Sequence, residues 1–573
     1  APTITPEERA VDSLIDMVNG SGNGNNSRGN QQEQRDLLIA TIELQIGLNF
    51  FKTDNKTAYA TLPSGIHAEI GSDDFDKYIL SVAYGFEPRY FIGQQAIDSI
   101  SQYIEYNVLT STEPVYPTHQ IFKRVGHDPT DNSVWILADL NPIRYIHVTT
   151  GAITEESTCP IKIILNESSL PLPTVAPKGN FELINKYLNV EKNQRPLVHN
   201  FIVESYCARN EFSIFQLLAQ HNTGKTTLIK LLYKLIDPNI NDIGQPTDIW
   251  SNMVNANSTH LLNYDNMEKE NMEKDFPSMM SKIATETSFK KRKLHSNKKM
   301  VSFKTKNPQI YASIYQVISA VDVHSRSIVI NPPTLKDSFN KLNQEFWDAF
   351  EVDYSTIFNG ILSAIQHVLT HRDSVSTKNL ERMTEAHHIG RTLDSFEGLT
   401  WDISYDEALA ENKQIINESI IDSHPMAQLL IILMEENNNV TINKTPTEWL
   451  EFLHSNKYSS NTPGVESEKQ IIQQTIPKNS KAMATQFTNV VTPLRNQGYI
   501  LEKGRDNKRR FWKLSSIKES VTPVTPVTDT RETTPSDSDA CDTSDALMNT
   551  QTPLIRNDFS KTFPEIAKKE IHE

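Results

Sequence analysis

The sequence holds only three cysteines in 573 residues: Cys159, Cys207 and Cys541. They lie far apart and without metal-ligand spacing, which excludes a disulfide framework and a structural zinc site. No apolar run approaches the roughly 20 residues needed to span a bilayer, and the first residues carry no apolar core of the signal-peptide kind. A cytoplasmic chain that stays out of the membrane is therefore expected. Positive charge is also short, since Lys+Arg 56 against Asp+Glu 71 leaves a net −15. A surface coated in cations is excluded, so any contact with a polyanion must come from local basic patches. His387-His388, with Glu385 nearby, fall in a helical stretch, where adjacent residues point to different faces, so a metal site is not expected there either.

One further absence falls at an informative place. Gly224-Lys225-Thr226 closes a segment that reads as strand, tight loop and helix. Phe212 to Leu218 is a short, mostly apolar run suited to a buried parallel strand. From Thr226 to Ile236, Leu228, Leu231, Leu232 and Leu235 recur at i, i+3, i+4 and i+7, a one-faced helix that stops at Asp237-Pro238. Such a layout points backbone N–H groups and a helix N-terminus at phosphates. Asn222, Thr223, Gly224, Lys225, Thr226 and Thr227 would line the site, with Lys225 on the β- and γ-phosphates of ATP and the Thr226 hydroxyl on Mg²⁺. Ala219 occupies the first glycine position of the GxxxxGK[ST] pattern, and alanine is expected to strain a turn that glycine makes freely.

A second strand is predicted from Thr259 to Tyr264, ending at Asp265. A carboxylate there suits a second Mg²⁺-coordinating position, usually through water. Asn266 follows where an acidic residue often polarises the attacking water; it can orient a water but cannot take its proton. The same two residues also read as an Asp-Asn turn with no chemistry attached.

These motifs resemble the superfamily-3-like AAA+ ATPases of phages, plasmids and integrated elements, the primase-associated helicases. The resemblance spans roughly residues 45 to 515. It rests on the strand ending in Asp-Asn, on Leu170-Pro171-Leu172-Pro173 before the lead-in to the loop, and on Glu345 to Phe350. Ile357-Phe358-Asn359-Gly360-Ile361-Leu362 and Arg382-Met383 then follow in order. The resemblance implies a polar sensor residue at the end of the strand Pro308 to Tyr311; Ala312 stands there, with Ser313 and Gln316 nearby. It also implies that Arg326, in Asp322-Val323-His324-Ser325-Arg326, is a finger reaching a neighbouring subunit's γ-phosphate, where it would stabilise transition-state charge. The alternative is a surface arginine before the strand Ser327 to Ile330.

The densest basic stretch runs from Phe289 to Met300 and includes Lys290, Lys291, Arg292, Lys293, Lys298 and Lys299. Two runs around Ser296-Asn297 predict a hairpin. The resemblance implies that such hairpins line a ring channel and track single-stranded DNA. A solvated loop or a localisation signal reads equally from the charge alone.

Near the C-terminus, Met426 to Glu436 and Thr445 to Leu453 predict two helices, the second with Thr445 as N-cap and Pro446 in its first turn. Lys481 to Asn496 predicts a third, and Tyr499 to Leu514 a hairpin with a basic tip. Between Lys478 and Lys513 there are nine Lys/Arg and two acids. Helix, helix, helix, hairpin is a winged-helix pattern, placing Lys481, Gln486, Asn489 and Arg495 toward duplex DNA and Arg505, Lys508, Arg509 and Arg510 in the wing. Protein contact is the alternative use of the same module.

The expected organisation is multidomain α/β. A flexible segment (1–35) precedes an N-terminal α+β domain (36–175), an AAA+ P-loop ATPase core (176–335) and a helical region (336–423). The winged helix (424–515) and a disordered tail rich in Thr, Pro and Asp (516–573) complete it. The function expected is a DNA-dependent ATPase using ATP and Mg²⁺, a replicative helicase or origin-melting motor of a mobile element, assembled as a homo-oligomer such as a hexameric ring. The competing expectation is a DNA-binding regulator on a decayed ATPase core. A primase finds no support, because no paired-carboxylate polymerase motif or zinc site precedes the core.

Overall fold

The computed structural model describes residues 27–517 apart from 87–89, 113, 221, 241–243, 245–247, 269–274, 286, 293–299, 315–317, 319, 336–342, 381, 424, 456–475 and 507–508. The Thr-Pro tail lies outside the described residues. Within the segment expected to be flexible, helix α1 (Ser27–Ile46) already begins. It packs with β1 (Phe50–Lys52), β2 (Ala58–Thr61), β3 (His67–Glu69), α2 (Asp73–Tyr84) and α3 (Gln94–Thr110) around a core of Leu38, Ile42, Phe75, Ile79, Ile100 and Ile104. The hairpin β1–β2 turns where the apolar alternation breaks, at Asp54-Asn55-Lys56, with Lys56 at φ 60.

A six-stranded sheet follows, built from β4 (Ile121–Lys123), β5 (Val125–His127), β6 (Val134–Leu140), β7 (Ile143–Val148), β8 (Ile153–Glu156) and β9 (Lys162–Ile164). Its inner residues Val134, Ile136, Ile146 and Val148 join one continuous core with residues up to Leu409, so the boundary drawn at 175 from composition falls inside a shared hydrophobic core. Helix α4 (Arg195–Cys207), buried along almost its whole length, runs through that core.

The second sheet is parallel throughout. It contains β10 (Ile214–Leu218), β11 (Leu262–Tyr264), β14 (Gln309–Ser313) and β15 (Ser327–Ile330), in the order β11-β14-β10-β15. Between them come α5 (Lys225–Ile236), α6 (Ile249–Ser258), α7 (Phe276–Ala284), the antiparallel ribbon β12 (Thr287–Arg292) and β13 (Met300–Thr305), and the short α8 (Val321–His324). Both faces are covered, which is why these strands read as continuous apolar runs. Phe215, Leu217, Ile310, Ala312, Ile328 and Ile330 face one core, and Ile214, Leu262, Tyr264 and Tyr311 face the other, under α6 and α7. Strand β11 is shorter than its sequence suggests. Thr259 N caps α6 on Asn255 O, and the His260 and Leu261 amides donate to the Asp237 carboxylate instead of to a neighbouring strand.

Helices α9 (Asn343–His371), α10 (Thr384–Leu393) and α11 (Tyr405–Ser423) complete this body. The Asn359-Gly360 pair of α9 marks where the loop before α4 crosses it. Asn359 Oδ1 accepts from Ala176 N at 2.6 Å and Asn359 Nδ2 donates to Thr174 O at 3.0 Å. A Cβ on Gly360 would sit 2.1 Å from the Phe181 nitrogen, and one on Gly179 would sit 2.1 Å from the Gly360 nitrogen. Only glycine at both positions allows this backbone contact.

The C-terminal part has its own core, centred on Trp449, Phe487, Leu494 and Trp512. It comprises α12 (Pro425–Glu436), β16 (Ile442–Lys444), α13 (Pro446–Ser455), α14 (Ser480–Asn496), β17 (Tyr499–Asp506) and β18 (Arg509–Ser516). Thr445 and Glu448 form a reciprocal capping box at α13, and Asn479 caps α14 through Ala482 N at 2.9 Å. Strand β16 escaped the sequence reading because three residues are too few to show alternation; it adds a third strand beside β18.

A buried carboxyl in the central core provides a pH test. Glu204 of α4 accepts from Ser213 N at 2.8 Å and from Asn200 Nδ2 at 3.0 Å, and Asn200 in turn reaches Tyr405 Oη, which bonds His387. Burial pushes the Glu204 carboxyl up to about 8, although the Ser213 and Asn200 donors oppose the shift. The folded state therefore holds a proton that the unfolded chain releases, and stability is expected to fall as pH climbs from the ordinary carboxylate range through about 8. Melting curves between pH 6 and 9 should show that decline, flattened in Glu204→Gln; parallel curves would refute it.

Candidate functional site

The C-terminal end of β10 runs into a loop whose geometry differs from expectation in one respect. Ala219, expected to be strained, is not among the residues with positive φ; it is buried, and its N–H donates to Ser313 O at 3.0 Å. The left-handed conformation falls instead on Asn222 (φ 62) and Gly224 (φ 72). Asparagine tolerates that region better than most side chains, and glycine is free there. The backbone seen in this loop therefore requires no glycine at position 219, since its left-handed residues come three and five positions later.

Helix α5 starts at Lys225, one residue before the periodicity suggested, and buries Leu228, Leu231, Leu232 and Leu235 as that periodicity requires. Its N-terminus lies beside the end of β11. Lys225 Nζ stands 3.1 Å from Asp265 Oδ1 and 3.2 Å from Asn266 Oδ1, and Thr226 Oγ1 donates to Asp265 Oδ2 at 2.7 Å. The Lys225 and Asp265 side chains are 11% and 5% exposed. Asn266 takes a left-handed backbone (φ 53), and its N–H donates to Asp265 Oδ1 at 2.7 Å. Four residues separated by about forty positions in sequence therefore meet at one point. Thr227 follows on the first turn of α5, half-buried.

The scaffold of this point was not visible in the sequence. Asn189 Nδ2 donates to Thr223 O at 2.9 Å and to Pro333 O at 2.7 Å, and Leu335 N donates to Asn222 O at 2.9 Å. These bonds clamp the loop from two distant segments. No local pattern could have singled out Asn189, whose partners are created by tertiary folding alone. The Ala312 and Ser313 carbonyls contribute as well, accepting from Met267 N and Ala219 N, while Gln316 lies outside the described residues.

Chemically, the arrangement offers backbone N–H groups and a helix N-terminus for an oxyanion, a cation to neutralise it, and two hard oxygen donors side by side. Thr226 Oγ1 and Asp265 Oδ2 suit a small divalent cation such as Mg²⁺, which keeps most of its waters and needs few protein ligands. In the structure, these groups satisfy one another.

Arg326 is not part of this point. It immediately precedes β15, and its carbonyl accepts from Ile214 N, so it lies at the end of the parallel sheet opposite to Lys225. Its guanidinium bonds Asp322 through both the backbone carbonyl, at 2.8 Å, and the carboxylate. Arg382 donates to the same carboxylate at 2.6 Å and to Ser325 Oγ at 2.9 Å. Partial burial pushes the Asp322 carboxyl up, but the hydrogen bonds from Arg326 and Arg382 outweigh it and hold the group down at about 2.

The basic candidates are dispersed. Lys290, Lys291 and Arg292 lie on β12, paired with Ser302, Val301 and Met300 of β13; Lys293, Lys298 and Lys299 are outside the described residues. On α14, Lys481, Asn489 and Arg495 are exposed, whereas the Gln486 amide oxygen is buried without a hydrogen-bond partner. Arg505, Arg509 and Arg510 are exposed on the β17–β18 hairpin, with Arg505 directly opposite Arg510; Lys508 is outside the described residues. His387 and His388 bond Tyr405 Oη and Val375 O respectively, and among the described residues no cluster could hold a metal through His, Cys, Asp and Glu.

The chain is a multidomain, mixed α/β protein with several sheets. No family model and no curated protein matches it. Among solved structures it is similar to the A form apo structure of the NrS-1 C-terminal region, residues 305–718. The TM-score is 0.34 and the identity 13%, covering 82% of this chain and 100% of that one. Among the described residues, no helix is long and apolar enough to cross a membrane.

Proposed function

We propose that this chain is a DNA-dependent ATPase of the superfamily-3-like AAA+ type, a helicase or origin-melting motor of a mobile element. The observation that carries the reading is the convergence of Lys225, Thr226, Asp265 and Asn266 at the C-terminal ends of two parallel strands, at the mouth of a left-handed loop leading into a helix. In this reading the loop amides and the α5 N-terminus bind the phosphates of ATP, and Lys225 leaves Asp265 to neutralise the β/γ oxygens. A bound Mg²⁺ would supply charge neutralisation for the triphosphate. Thr226 Oγ1 and Asp265 would hold that ion, and Asn266 would orient the attacking water.

The position of Arg326 bears on how it would act in this reading. Five residues of β10, at about 3.3 Å each, separate the two ends of the sheet. Arg326 therefore cannot reach the phosphates held in its own chain, and would serve the site of a neighbouring copy, as in a ring. The β12–β13 ribbon would then face single-stranded DNA in the channel. The three helices and three-stranded sheet of residues 425–516 would act as a winged helix on duplex DNA, through exposed Lys481, Asn489, Arg495, Arg505, Arg509 and Arg510. The second reading, a DNA-binding regulator, is favoured by Asn266 and Ala312, which stand where a carboxylate and a polar sensor are expected. ATP turnover with and without single-stranded DNA tests the choice. DNA-stimulated turnover supports the motor; no turnover with intact duplex binding leaves the regulator.

A further inference from the structure

At the end of the parallel sheet away from Lys225 there is a second concentration of Lys, Arg and His side chains, around a cavity of about 100 Å³. It lies among β4 and β5, the C-terminal end of α4, and the residues that enter β10, β11 and β14. Lys123, His127, Arg209, His260 and Lys306 line it, and none of its described lining residues is acidic. In a chain with net charge −15, five such residues around one small space are not explained by composition.

Lys123 Nζ donates to Ala256 O at 2.6 Å and to Thr305 Oγ1 at 2.8 Å. Lys306 donates to the Arg209 carbonyl, and His260 Nε2 lies 2.8 Å from Ser205 O. The outer nitrogens of Arg209 grip Asn132 at 2.7 and 2.8 Å. Two nitrogens are left over: Arg209 Nε and His127 Nδ1 are buried with no hydrogen-bond partner. Unpaired buried polar atoms cost free energy unless something satisfies them. Burial and mutual repulsion also act on the titratable groups. Burial and Arg209 hold His127 down at about 3, and burial pushes His260 down to about 4 and Lys123 to about 7 even though Asp237 opposes both shifts. Asp237, which acts on Lys123 and His260, is committed to Arg124, and the carboxylates acting on Arg209, Asp131 and Glu385, are not in the lining.

We propose that this cavity is an anion site, separate from the Lys225 loop, that takes a single oxyanion of the phosphate class. The space is large enough for several waters, and so for one tetrahedral anion. An anion there gives Arg209 Nε its missing contact and relieves the repulsion among Lys123, Arg209 and Lys306. Thr305 and Lys306 are where the β12–β13 ribbon rejoins the sheet, so occupancy would also fix the base of the ribbon. The phosphate group has two sources, a phosphodiester of a DNA strand lying along the ribbon or free phosphate.

The experiment is calorimetric titration of inorganic phosphate into the full chain carrying Lys225→Ala, at constant ionic strength and pH 7. That change silences the loop, so the outcome does not depend on whether the loop binds ATP. Binding is expected, weakened about tenfold by either Arg209→Gln or Lys306→Gln, as loss of one charge-assisted contact predicts. Arg209 is only partly buried, and the two variants are independent, with melting temperatures reporting that each is folded. A short single-stranded oligodeoxynucleotide that displaces phosphate identifies the phosphodiester as the source; failure to displace identifies free phosphate. Absence of phosphate binding, or equal binding by parent and both variants, overturns the assignment.

Discussion

Replacing Lys225 with alanine is expected to lower the ATP hydrolysis rate by at least two to three orders of magnitude, with the chain still folded. Removal of a single preorganised charge-stabilising donor costs about 10²–10³ in turnover, or about 2.7–4 kcal/mol. Lys225 supplies a full charge, held by Asp265 and Asn266 at the N-terminus of α5. Two companions separate its roles. Asp265→Asn keeps the shape and removes the anion that positions both Lys225 and Thr226, so turnover should fall while nucleotide binding persists. Ala219→Gly should change little, because position 219 has no left-handed backbone to relieve. A large gain from Ala219→Gly would mean that the loop rearranges to a glycine-dependent form when it works. Turnover unchanged in Lys225→Ala would refute the proposed site outright.

The second large effect concerns stability. Arg124 is buried, with its side chain 0% exposed, against Asp237 at 3%. Its guanidinium also donates to Leu170 O and Pro238 O, both at 3.1 Å. One side chain thus ties the six-stranded sheet to the end of α5 and to the segment that becomes β11. Arg124→Leu would leave a buried carboxylate uncompensated, an effect of about 3–5 kcal/mol. Adding Asp237→Asn should recover part of the loss by removing the stranded charge. Recovery cannot be complete, because the Leu170 and Pro238 carbonyls still lose the Arg124 donors that satisfy them. Denaturation midpoints for the single and double variants measure this. A single variant within a degree of the parent would show that water reaches the pair.

How much was readable beforehand differs between elements for physical reasons. The apolar spacing in α5 determined that a one-faced helix follows Gly224, because burial of Leu228, Leu231, Leu232 and Leu235 on one side requires that period. The apolar runs of β10 and β15 determined buried parallel strands, since a sheet covered on both faces needs no polar alternation. Capping at Thr445 likewise followed from local side-chain chemistry.

Other features are decided only when distant segments meet. The backbone crossing at Gly179 and Gly360 joins residues far apart in sequence, and no local period encodes it. The bonds from Asn189 to Thr223 and Pro333 are of the same kind. The motif's spacing predicts strain at Ala219; the tertiary bond to Ser313 O and the turn at Asn222 put the left-handed residues elsewhere. The second cavity draws Lys123, His127, Arg209, His260 and Lys306 from separate elements that no local pattern joins. Local propensity and periodicity act over a few residues, so the sequence by itself determined the elements and the candidate loop. Which side chains share a dielectric environment depends on how those elements pack, and that was decided by the tertiary structure.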